Sequence, residues 1–193
     1  MTHATYADLL RPSTIARAAL YDFTLIIGGS LLIALSAQVA IPIGPVPITM
    51  QTLAVLLVGA LLGSRRGALS VLVYLTEGVM GFPFFAGGAA GAAYLAGPTG
   101  GYLIGFVFAA FVTGSLTERG WDRHVETTVA AMLLGSIVFY VFALARLSLL
   151  PGWDFEKALR LGLYPFIPGD LAKIALAATI LPAGWKALGR RAE

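Results

Sequence analysis

The forty residues Gly78–Thr117, GVMGFPFFAGGAAGAAYLAGPTGGYLIGFVFAAFVTGSLT, contain no Asp, Glu, Lys or Arg. No water-facing surface can be built from such a stretch, since a soluble domain carries about 25% charged residues. The chain as a whole repeats the pattern. Its 193 residues are 58% hydrophobic and 12% charged, with a mean hydropathy of +0.84. A bilayer supplies the apolar solvent that this composition requires, and a spanning helix needs about 20 mostly apolar residues. The chain therefore reads as an all-α integral membrane bundle in one domain, 1–193.

Working outward from that stretch, six apolar spans are expected at about 22–41, 46–63, 67–82, 100–117, 127–148 and 169–186, after a polar segment 1–21. Phe23–Ile41 is 19 residues long, too long for the apolar core of a signal peptide. Pro42, Pro45 and Pro47 break the first span from the second, and Ser64-Arg65-Arg66-Gly67 breaks the second from the third.

Counting Lys and Arg orients the bundle. With a cytoplasmic N-terminus, the inner segments hold nine: Arg11, Arg17, Arg65, Arg66, Arg119, Arg123, Lys186, Arg190 and Arg191. The outer connections hold two, Lys157 and Arg160. Both termini are thus expected inside. The three outer connections are unusual in composition: Pro-rich 41–47, Gly81–Gly101 with seven glycines, and aromatic 151–168. Irregular backbone at membrane depth persists only where protein buries it or it lines a cavity. The apolar Phe82, Phe84, Phe85 and Tyr94 argue for a lid over the bundle. Small residues repeat every four positions, Gly59 and Gly63 in one span and Gly101, Gly105, Ala109 and Thr113 in another, which permits close helix packing.

Polar groups inside a membrane are costly and so are functional candidates. Those here are Asp22, Gln38, Gln51, Glu77, Arg146, Asp170 and Lys173. Asp170 and Lys173 lie three apart at the start of the last span, on one helix face. A carboxylate that only accepts beside an ammonium with three donors suits a ligand carrying both N–H and C=O. A mutual ion pair explains the spacing equally well. Gln51, next to Thr49 in the second span, donates and accepts and suits an amide-like ligand, or a helix–helix hydrogen bond. Glu77 is expected to pair with Arg146 or Lys173, while Asp22 and Arg146 lie close enough to span ends to reach water.

Several classes drop out. Without cysteine there are no disulfides or thiolate sites. There is no phosphate-binding G-x-x-x-x-G-K-[ST] loop, and the two histidines, His3 and His124, lie in polar segments. An intramembrane hydrolase would lack its base. No enzyme activity, metal or cofactor is expected, nor any nucleic acid partner.

Four segments, in order, resemble the BioY family of biotin transporters: Gly44-Pro-Val-Pro-Ile-Thr-Met-Gln-Thr-Leu53 with Gly63-Ser-Arg-Arg-Gly-Ala68, Gly78–Gly88, Gly97-Pro-Thr-Gly-Gly-Tyr-Leu-Ile-Gly105, and Pro165-Phe-Ile-Pro-Gly-Asp-Leu-Ala-Lys173. The resemblance implies a six-helix substrate-binding component of an energy-coupling-factor vitamin transporter. It implies biotin as ligand, with Asp170 and Lys173 at its ureido ring. Further contacts would be Gln51, Thr49 and the loop at Gly87 and Gly88, with Tyr164, Phe85 and Tyr102 as apolar lining. The implied partners are a transmembrane coupling protein and two ATPase subunits, or a homo-oligomer if the chain works alone. Such components dock through an Ala-x-x-x-Ala face of the first helix, and the nearest spacing here is Ser30-x-x-x-Ala34. Another vitamin in the same architecture, or a scaffold without ligand, are the alternatives.

Overall fold

A computed structural model describes residues 3–189. Within them the chain is nearly all helical: α1 (Ile15–Gln38), α2 (Gln51–Leu62), α3 (Ser64–Val79), α4 (Ala92–Ala96), α5 (Gly100–Thr117), α6 (Val125–Ser148), α7 (Phe155–Gly162) and α8 (Ile167–Gly189). A two-stranded hairpin, β1 (Ala40–Ile41) and β2 (Ile48–Thr49), pairs Ala40 with Thr49 and Ile41 with Ile48. It departs from the all-α expectation and gives the Pro-rich connection its turn. Arg190 and Arg191, counted above among the inner cations, lie outside the described residues.

Four helices, α1, α5, α6 and α8, are long and apolar enough to cross a membrane. α2 is equally apolar, but its 12 residues reach only about 18 Å at about 1.5 Å per residue. α1, α2, α3, α5, α6 and α8 pack side by side, with α4 and α7 in the connections. Leu35, Leu171 and Ile180 are among the exposed large apolar side chains on the outer faces of α1 and α8. Water would make those faces costly at about 25 cal/mol per Å²; a bilayer removes the cost.

The small residues set the core. Gly101 of α5 lies on the backbone of Phe142 and Ala143, Gly105 on Phe139, and Thr113 on Gly135, so the four-residue stripe faces α6 along its length. Gly59 meets the backbone of Ala110 and Gly67 meets Gly59, closing α2 on α5 and α3. Gly63 alone links α2 to α3, at φ +86°, a conformation that glycine reaches without strain. There the Glu118 carboxylate accepts from Ser64 N–H at 2.7 Å and its hydroxyl at 2.9 Å, satisfying a helix start that would otherwise be bare.

Ser30 and Ala34 point inward. Both are buried, and neighbouring Gly29 rests on Ser70 of α3, so this pair belongs to the α1–α3 seam and offers no outward docking face.

At the end of the bundle that carries the termini, residues 3–11 lie across the helix ends. The Tyr6 hydroxyl donates to the Leu181 carbonyl and the Tyr6 ring lies 4.4 Å from that of Trp185. Arg66 bridges Asp8 at 2.9 Å and Asp22 at 2.8 Å, while Arg11 holds Asp22 at 2.7 Å. Asp22 therefore has two cations rather than a lone path to water. Burial works against the ionised Asp8, but the Thr5 backbone and hydroxyl and the Arg66 guanidinium outweigh it and hold its carboxyl below the usual range.

Candidate ligand site

At the opposite end, the N-termini of α2 and α8 meet. Thr49 closes the hairpin, Thr52 stands in the first turn of α2, and Asp170 stands in the first turn of α8, where the helix dipole favours a carboxylate. Lys173 Nζ donates to the Thr49 carbonyl at 2.7 Å, to Thr52 Oγ1 at 2.8 Å and to Asp170 Oδ1 at 2.9 Å. All three of its protons are used. Asp170 Oδ1 also accepts from the Thr52 hydroxyl at 2.9 Å, and Oδ2 accepts from the Tyr140 hydroxyl at 2.5 Å. Carboxylate and ammonium thus face each other, and both are nearly buried. A buried pair of this kind is costly to break from one side.

This cluster forms one wall of a cavity. Thr49, Gln51, Thr52 and Lys173 give its polar side, while Tyr102, Leu103, Phe106, Tyr140 and Phe166 give the aromatic and aliphatic side. Val46, Pro47, Ala86 and Tyr94 close it from the connections. The space, open in part to solvent, measures about 440 Å³.

The closing connection is anchored through aromatics. Phe85 is fully buried; it stacks on Tyr94 at 5.0 Å, meets Tyr74 edge-on at 5.6 Å and packs on Gly78. Gly87 and Gly88 take φ of +70° and +75°, which turns the chain so that Ala86 faces the cavity. The Gln38 amide reaches the carbonyls of Phe84 and Phe85 at 3.3 Å. Arg146 donates to the Ala96 carbonyl, tying α6 to α4.

Of the residues singled out in the sequence, Lys173, Thr49, Gln51 and Tyr102 line the cavity, and Asp170 stands directly behind Lys173. Gln51 donates to the Tyr74 hydroxyl at 2.7 Å and its side-chain carbonyl accepts from the Thr49 hydroxyl at 3.3 Å, which leaves its second N–H for another partner. The Tyr102 hydroxyl donates to the Gly162 carbonyl, so only its ring serves the cavity. Four others lie outside the lining of this cavity. Phe85 is buried in the core beneath the lid and Tyr164 is 55% exposed, while Gly87 and Gly88 shape the adjoining loop. Glu77 pairs with neither Arg146 nor Lys173, and its Oε2 is buried without a partner. Thr52, Tyr140, Phe106 and Phe166 are not legible in the sequence, whereas Tyr94, which closes the cavity, is one of the lid aromatics named there. A tyrosine counts as apolar in a hydropathy reading, yet Tyr140 holds the carboxylate.

The BioY family profile matches residues 9–190. The chain is 41% identical over 160 residues to the biotin transporter BioY of Rhizobium etli, covering 78% of this chain and 85% of that one. To the biotin transporter BioY of Thermotoga maritima it is 40% identical over 149 residues, covering 77% and 86%. A crystal structure of the S-component for biotin from an ECF-type ABC transporter superposes with a TM-score of 0.77 at 29% identity, over 91% of this chain and 95% of the other.

Proposed function

The chain belongs to the BioY family, and on that premise we propose that it binds biotin and carries it across the bacterial inner membrane as the substrate-specific component of an energy-coupling-factor transporter. The observation that carries the ligand assignment is the cavity wall of Thr49, Gln51, Thr52 and Lys173, with Asp170 behind it, facing aromatic rings. Biotin presents a ureido ring with two N–H donors and one C=O acceptor, fused to an apolar ring. Its carbonyl suits Lys173 or the Gln51 amide, its N–H groups suit the threonine and carboxylate oxygens, and its apolar edge suits Tyr102, Phe106 and Phe166. Since Lys173 has no spare proton, ligand binding exchanges one internal bond for one to biotin.

In this reading the helices α1, α2, α3, α5, α6 and α8 all cross the membrane, α2 and α3 with help from their flanking turns. The Lys and Arg bias puts the termini inside, so the cavity faces outward under the hairpin and the α4 connection. Chemistry on the ligand is not part of the function. A transmembrane coupling protein and two ATPase subunits, with which components of this kind operate, would power release. Titration of the purified protein with biotin, thiamine and riboflavin tests the assignment. Saturable binding of biotin alone, at micromolar levels or tighter, is expected. Binding of another vitamin would reassign the ligand, and binding of none would leave a scaffold.

A further inference from the structure

Behind the Asp170–Lys173 pair, on the side away from the main cavity, lies a second and smaller space between α2, α6 and α8. Ser136 of α6 borders it with Thr52, Asp170 and Lys173, and Leu56 and Met132 make it otherwise apolar. It measures about 210 Å³ against about 440 Å³ for the main cavity. A buried water needs two to four polar partners, and the hydroxyls, carboxylate and ammonium here can supply them.

The Ser136 side chain is unusual in this protein. Ser30, Ser70, Thr76, Ser115, Ser148 and other hydroxyls within the helices donate back to a carbonyl of their own helix, at 2.8–2.9 Å in these five. Ser136 does not. Its Oγ is buried without a partner, and the residue is only 6% exposed. Asp170 borders the same space; its Oδ1 accepts two hydrogen bonds but Oδ2 accepts one, from Tyr140. A carboxylate oxygen accommodates about two donors, so one direction on Oδ2 is open.

We propose that this space is a site for one ordered water that bridges Ser136 Oγ to Asp170 Oδ2, and that Ser136 is thereby a positioning residue for the ligand-binding ion pair. Donation from the water holds the carboxylate turned toward Thr52 and Lys173. Through that pair it keeps the ammonium at the cavity wall. The affinity part rests on the biotin reading above; the hydration part does not.

Two measurements decide it. A ligand-free structure at a resolution that shows other buried waters is expected to show one within about 3.2 Å of Ser136 Oγ, absent in Ser136→Ala and retained in Ser136→Thr. In biotin titrations, Ser136→Ala is expected to bind about three- to tenfold more weakly, and Ser136→Thr should restore the affinity. A dry space in the parent overturns the proposal, whatever the ligand proves to be. So does a Ser136→Ala variant with parental affinity.

Discussion

Two aspartates are buried at opposite ends of this bundle, and they are held in opposite ways. Asp170 receives donors from Thr52, Lys173 and Tyr140 and borders free space on two sides. Asp122, in the turn before α6, receives one side-chain donor, the Trp185 indole at 2.6 Å. Its Oδ1 is buried without a partner. Around it the packing is closed by the Tyr6 ring and by the Arg123 guanidinium 4.7 Å over Trp185. Burial raises the Asp122 carboxyl above its usual range, with the Trp185 hydrogen bond and the nearby Arg123 and His3 pulling the other way. One end keeps its carboxylate in a network of donors next to open space; the other leaves a half-satisfied acid closed under aromatic rings.

The largest expected effect falls at the ligand end. Lys173→Ala leaves a buried carboxylate without its cation and should cost about 2–5 kcal/mol of biotin binding, well over tenfold by calorimetry. Were it to change only thermal stability, the two ends would be alike and the comparison would fail. Tyr140→Phe removes the one donor to Asp170 Oδ2 and should weaken biotin binding by about 1.5–3 kcal/mol, with little change in fold by circular dichroism. At the other end, Trp185→Phe keeps the ring but takes the indole N–H from Asp122. Here about 1–2 kcal/mol of stability should be lost, read as a melting temperature several degrees lower, while biotin affinity stays at the parental value. A drop in affinity would mean that the ends are coupled through α8.

The smallest effect is in the pH response. Because the folded carboxyl of Asp122 titrates above its unfolded value of about 3.9, the fold binds the proton more tightly than the unfolded chain does. Stability from this group is greatest below that value and declines as pH rises through the window up to the folded pKa. Asp122→Asn should remove that decline, so thermal melts taken at rising pH above the unfolded value should flatten relative to the parent. A steeper decline in the variant would reverse the assignment.

The sequence carried the architecture well because hydropathy and small-residue spacing are local properties. The 100–117 span coincides with α5, and the Gly101–Thr113 stripe faces α6 as its four-residue period requires. The Asp170–Lys173 spacing located one wall of the cavity. What spacing could not decide was whether the two charges faced a ligand or each other; the geometry has them facing each other. The remaining wall is assembled from α2, α5 and α6, and nothing local in the sequence says that Tyr140 and Asp170, thirty positions apart, share a hydrogen bond. Where Tyr164 and Phe85 turn is not local either: an aromatic residue beside a motif can turn outward or into the core, and only packing decides.

The central claim is that Asp170 and Lys173 act on the ligand as one unit. A double-mutant cycle of Asp170→Asn and Lys173→Ala, read as biotin affinity in detergent, tests it most directly. Each single variant should lose well over tenfold, and the double variant should lose little more than the worse single one, a coupling on the order of 1–3 kcal/mol. Losses that simply add, or single variants that bind biotin as the parent does, would contradict the account.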